Sequence, residues 1–210
     1  MREFSQAARD GKIKLVRLYL DKDIVSDVNM KDINKALCNA CIGGHLNIVE
    51  LLLDYGADID YNNGFYNPLS DAVLYNHNDI VELLLSYGAN TEIVDDVFGS
   101  TPLYLSVQNG NMEMVKLLLL NGAKVNTLTN NGSSILHSAA FGIKQCNNKC
   151  YCLIEWLLTN YEDDLDPFLK NKNGIEPRDI LNSIDWSYAE LYDDILEKLG
   201  YYIIDLSPEK

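Results

Sequence analysis

Apolar residues recur along the chain in one motif, a β-branched residue followed by a polar residue and then leucines. Its copies are Val16-Arg17-Leu18-Tyr19-Leu20, Val49-Glu50-Leu51-Leu52-Leu53, Val81-Glu82-Leu83-Leu84-Leu85 and Val115-Lys116-Leu117-Leu118-Leu119. The starts lie 33, 32 and 34 residues apart, and a fifth copy, Ile154-Glu155-Trp156-Leu157-Leu158, follows after 39, which implies a short insertion. Each copy has the spacing of one buried helical face and lies a fixed distance after a second apolar stretch, so the pattern predicts repeated helix pairs. Such a unit cannot bury its apolar face alone; neighbours must stack into a continuous core.

Turn residues punctuate the pattern. Gly56-Ala57, Gly88-Ala89 and Gly122-Ala123 follow the second helices, where a residue in the left-handed conformation ends the helix. Thr101-Pro102-Leu103 opens a first helix, with Thr as N-cap and Pro at the first helical position, and Asn67-Pro68-Leu69 does the same one repeat earlier. The stretch Gly99-Ser100-Thr101-Pro102-Leu103-Tyr104-Leu105-Ser106-Val107, then Gly110-Asn111-Met112-Glu113-Met114-Val115-Lys116-Leu117-Leu118-Leu119, resembles an ankyrin repeat nearly throughout. Gly43-Gly44-His45-Leu46-Asn47-Ile48-Val49 and Ser134-Ile135-Leu136-His137-Ser138-Ala139-Ala140 are similar.

The resemblance covers residues 3–181 and implies an all-α ankyrin repeat solenoid of about six helix-turn-helix repeats, forming a single domain over residues 1–200. Repeats are expected at about 3–33, 34–66, 67–99, 100–132 and 133–165, the last with an insertion at 143–151, followed by a C-terminal cap at 166–200 and a short tail at 201–210. Residues 3–33 lack the Thr-Pro-Leu opening and suit an N-terminal cap; Ala189 to Leu199 would form the last helix.

Composition narrows the function. With 47% apolar and 23% charged residues the chain reads as folded, and no run of 18 apolar residues predicts a membrane span. Its first residues lack the apolar core of a signal peptide, and its five cysteines are odd in number and unevenly spaced, which suits a cytoplasmic or also nuclear protein with reduced thiols. A net charge of −14 repels phosphate backbones and anionic membranes, so nucleic acid is not an expected partner. A protein with a basic or mixed basic-apolar surface is, and the chain by itself is expected to be a monomer.

Ankyrin arrays bind partners through inter-repeat turn tips and the exposed side of each first helix, and the resemblance implies the same face here. The partner-binding set expected on it is Tyr61, Phe65, Tyr66, Asp71, Tyr75, Asp96, Phe98 and Tyr104, with Asp95 as a further acid for Lys or Arg. Large apolar residues are unusual in turns, and Tyr and Phe bring rigid contact area at low entropy cost. The alternative for several of them is minor core against neighbouring turns.

Catalytic chemistry is not in view. There is no Walker loop, zinc-protease motif, dinucleotide fingerprint or calcium loop, so no enzyme and no cofactor are expected. His45 and His137 stand where ankyrin histidines tie turns together, whereas His77 reads as an exposed replacement for the usual Gly. Cys146, Cys150 and Cys152, with His137, would be a candidate zinc set, but only Cys146 and Cys150 have suitable spacing. We read the segment as an insertion loop with Cys152 buried as a small hydrophobe, and expect no metal.

Glu190-Leu191-Tyr192-Asp193-Asp194-Ile195-Leu196-Glu197-Lys198-Leu199 faintly resembles the opening of the F-box-like motif that ends many poxvirus ankyrin proteins. That resemblance implies, as the alternative function, a substrate receptor of a cullin-type ubiquitin ligase; an amphipathic capping helix explains the same spacing. Abundant Asn, Ile and Tyr suit AT-rich codons, such as those of a large DNA virus or an intracellular bacterium acting on host signalling. AT-rich free-living organisms share that composition.

Overall fold

The periodic apolar faces become twelve α-helices in six antiparallel pairs in the computed structural model, which describes residues 2–21, 28–62, 64, 67–146 and 149–201 (backbone only for 144–146 and 149). The pairs are α1 (Arg2–Arg9) with α2 (Ile13–Leu20), α3 (Met30–Gly43) with α4 (Leu46–Asp54), and α5 (Pro68–Leu74) with α6 (Asn78–Ser86). They continue with α7 (Pro102–Gln108) and α8 (Met112–Leu120), α9 (Ile135–Cys146) and α10 (Lys149–Asn160), and α11 (Pro177–Ile184) and α12 (Trp186–Lys198). No strand occurs among the described residues.

The chain divides into two compact units. Unit 1 takes residues 1–106 and 113–123, and unit 2 takes 107–112 and 124–210. In unit 1 the first helices form a row, α1 against α3 and α3 against α5, while the second helices pack as α2 on α4 and α4 on α6. In unit 2, α9 lies against α10 and α11, and α11 against α12. The leading residues of the motif, Val16, Val49, Val81, Val115 and Ile154, are all fully buried, as the periodicity requires.

Local chemistry sets the helix ends. Asn67 accepts from the Ser70 amide at 2.9 Å and Pro68 follows it, fixing the start of α5. The Tyr104 amide donates to Thr101 Oγ1 at 3.2 Å, the cap expected at the start of α7. α3 departs from expectation by starting at Met30, inside the stretch assigned to the first repeat. Asn29 and Asp32 form a reciprocal capping box there, and α3 runs 14 residues where α5 has 7. α12 likewise starts at Trp186 rather than Ala189, because Asp185 accepts from the Ser187 amide at 2.9 Å.

The described residues of the 143–151 insertion are helical rather than a loop. Residues up to Cys146 continue α9 and those from Lys149 onward begin α10, so the added residues lengthen both helices. Gly142 makes room at that point: a Cβ there would run into the Gln108 carbonyl and stand 3.0 Å from Cys150 Sγ. Cys150, not Cys152, is the buried thiol, and Cys152 is exposed. Two residues apart on a helix, the side chains point in nearly opposite directions, so only one can face the core.

Candidate functional site

The turn between α6 and α7 is built around Asp95. Its carboxylate accepts from the backbone amides of Val97 at 2.9 Å, Phe98 at 2.6 Å and Ser100 at 2.8 Å, and the side chain is only 2% exposed. Three backbone donors satisfied by one carboxylate fix the loop without secondary structure. The result is that Val97 and Phe98 stand out to solvent, 50% and 63% exposed, with Asp96 exposed beside them. Asp95 is therefore an internal staple and not the surface acid expected from the sequence.

Further polar links tie this turn to the preceding ones in unit 1. Asn62 Nδ2 donates to Asp96 Oδ1 at 3.2 Å, the Asn90 amide donates to Asp60 Oδ1 at 2.9 Å, and the Asp58 amide to Asn34 Oδ1 at 2.9 Å. They bring half-buried Tyr61 into the same row as Asp96 and Phe98, and half-buried Tyr104 lies in the first turn of α7 close behind. Tyr75 follows the C-terminal end of α5, about 10 Å along that helix from the turn tips. It is exposed and stacked on His77, with ring centroids 6.4 Å apart, so it stands apart from the turn cluster. Phe65 and Tyr66 lie outside the described residues.

Asp71 corrects the sequence reading most clearly. It is 3% exposed, its Oδ2 has no hydrogen-bond partner among the described residues, and its carboxyl is pushed up to about 7 by burial, which outweighs a hydrogen bond from Cys38 and the Arg9 charge. A group so withdrawn presents no surface to a partner's Lys or Arg. The nearby Cys41 is fully buried, and burial pushes its thiol up as well.

The histidines are structural in detail. His45 Nε2 bonds the Arg9 carbonyl at 2.9 Å, and His77 Nε2 bonds the Ile42 carbonyl at 3.2 Å. His77 thus repeats the role of His45 and does not replace a glycine; the glycine position of its repeat is held by Asn76, at φ +58°. His137 is buried, with Nδ1 accepting from the Ser134 amide at 3.1 Å and Nε2 bonded to the Ile175 carbonyl at 2.9 Å. Burial holds its imidazole below the ordinary value, and with both nitrogens committed it is not available as the fourth ligand of a cysteine site. The Cys146 side chain lies outside the described residues, among which no cluster of three metal-binding groups occurs.

Two features escaped the sequence reading. Tyr55 and Tyr87 are exposed at equivalent positions, the C-caps of α4 and α6, and their recurrence 32 residues apart was the available signal. A groove between α1 and α3, bordered by Arg2 and Lys35, had no signal, because neither residue belongs to the repeated motif.

A family model described as ankyrin repeats (3 copies) matches residues 4–95 and 88–171. Relatives include an ankyrin repeat protein of Acanthamoeba polyphaga mimivirus, 45% identical over 58 residues, which are 28% of this chain and 21% of that protein. An ankyrin repeat protein of fowlpox virus (strain NVSL) is 34% identical over 111 residues, 51% of this chain and 33% of the relative. The mouse B-cell lymphoma 3 protein homolog is 49% identical over 49 residues, 23% of this chain and 11% of the relative. The chain therefore spans no more than a third of the length of any of these three. No helix among the described residues is long and apolar enough to cross a membrane.

Proposed function

This chain belongs to the ankyrin repeat family, and from that premise we propose that it is a non-enzymatic adaptor or inhibitor that holds a partner protein on its turn tips and first helices. Ankyrin repeats generally mediate protein–protein interaction, and the finer reading rests on one observation. The Asp95-stapled turn displays Val97, Phe98 and Asp96 on a loop whose backbone is already fixed by hydrogen bonds. A preformed apolar projection loses little entropy on binding, which is what a hot spot requires. Asp96 beside it would suit a partner cation. The two viral relatives and the abundance of Asn, Ile and Tyr support a cytoplasmic role against a host signalling protein.

The test is affinity capture from cell lysate with wild type and a Val97→Ser/Phe98→Ala variant, read by mass spectrometry. Both side chains are exposed, so the variant is expected to melt within about 0.5 kcal/mol of wild type. A protein recovered only by wild type supports the site. If the folded variant recovers the same proteins, the turn is not the binding surface. A ligase-docking role for α12 would have to use exposed Trp186 and Leu191, because Ala189, Tyr192, Ile195 and Leu196 are buried and the Tyr192 hydroxyl donates to the Pro167 carbonyl.

A further inference from the structure

We propose that the groove between α1 and α3 is an anion-accepting subsite that seats an acidic side chain of the partner protein. The inference deepens the protein-binding reading and rests on it, because both helices belong to the first-helix row of unit 1. The groove encloses about 440 Å³, ample for one carboxylate side chain. Arg2 enters it from α1 and Lys35 from α3; both are exposed, and neither has an ion-pair partner among the described residues.

That pairing of cations is the unusual feature. In a chain with 31 acids against 17 Lys and Arg, two cations from different helices border one cavity. The carboxylate in the lining, Asp32, is buried and engaged in the α3 capping box through the Asn29 amide, at the positive end of that helix. Gln6 and Asn39 also line the groove. Each spends one amide N–H, on Asp10 and on the Lys35 carbonyl, and retains a second for a ligand oxygen. Ser5, Cys38 and Ile42 complete the lining.

Asp58, Asp60 and Asp95 all accept backbone amides, which leaves exposed Asp96 as the acid beside Phe98. The first-helix and turn face of unit 1 is therefore polarised. It carries two cations at the groove between α1 and α3, and is apolar and acidic at the turn before α7. A partner segment with an acidic residue at one end and a basic or apolar one at the other fits it in one direction only.

Fluorescence anisotropy on the full chain tests this, using fluorescein-labelled hexaglutamate with blocked termini as probe. Wild type should bind it despite the net charge of −14, more weakly as salt is raised. An Arg2→Glu/Lys35→Glu variant should lose at least about tenfold in affinity. If that variant melts early, the Arg2→Gln/Lys35→Gln pair takes its place. The Val97→Ser/Phe98→Ala variant should bind the probe normally, so failure of the groove and failure of the turn surface are read separately. No binding by wild type, or no effect of the charge substitutions, overturns the subsite. Equally tight binding of an oligothymidylate of the same charge also overturns it, because the groove would then be a general polyanion site.

Discussion

Asp71 shows how much a single side chain changes the reading. Adjacent to Ser70 and Ala72 in sequence, it looks like any surface acid of a first helix, and the position one repeat later is Leu105, which is buried. Sequence spacing alone cannot say which of the two the third repeat follows; packing against Cys38 decides it. The sign of the pH effect follows directly. A carboxyl raised to about 7 in the folded state keeps its proton when the unfolded chain has lost it, so stability falls as pH rises from about 4 to 7. Above pH 7 the buried charge costs on the order of 4 kcal/mol. Asp71→Asn should therefore gain roughly 2–4 kcal/mol at pH 8 in urea unfolding. The gain should fall by about half at pH 5.5, still clear of the pI near 4.5. A gain that does not depend on pH would mean that the carboxyl is ionised throughout.

At the scale of elements, the helix pairs were legible because their apolar faces must repeat, and Val16, Val49, Val81 and Val115 mark the register. The joints were less legible. Gly11 and Gly44 each support a histidine ring from the next repeat, so that a Cβ would stand 2.6 Å from His45 Cε1 and from His77 Cε1 respectively. The shift by one position that made His77 look like a misplaced glycine hid this pairing, since Asn76 can adopt positive φ without being glycine. Gly44→Ala should cost about 2–4 kcal/mol in thermal unfolding, combining the left-handed backbone with the displaced ring. Adding His77→Ala should recover part of that loss in a double-mutant cycle, and purely additive losses would show that ring and glycine are not coupled. The insertion was misjudged for a different reason. The segment around Cys146 to Cys152 reads as an insertion loop, yet its described parts are apolar at helical spacing, and Ile143, Cys150 and Tyr151 are buried.

At the scale of the whole molecule, net charge is the property that composition states best. With a charge of −14, self-repulsion opposes folding, and its screening by salt should raise the melting temperature by a few degrees between low and physiological ionic strength. A melting temperature that falls with added salt would mean that attractive pairs such as Arg178–Asp193, at 2.6 Å, outweigh the repulsion. Composition could not show how that charge is arranged. Several acids accept backbone amides inside turns, and two cations without an ion-pair partner among the described residues meet at one groove, which no composition shows. The family was legible from the repeat, while the binding surface was legible only in outline: Phe98 and Asp96 are displayed, and Asp71 and Asp95 are not.

The glycine-histidine pairing also bears on how such a chain can lengthen. Gly11 and Gly44 are each followed one repeat later by histidine, whereas Asn76 is followed by Asn111. A gene segment duplicated after Gly44, beginning at Lys12 and ending at a second Gly44, keeps every histidine opposite a glycine. The same event after Asn76, beginning at His45, does not, because it places His77 opposite the Asn76 side chain. Recombination is thus tolerated at one boundary and penalised at the next, and the array carries a memory of where it can grow.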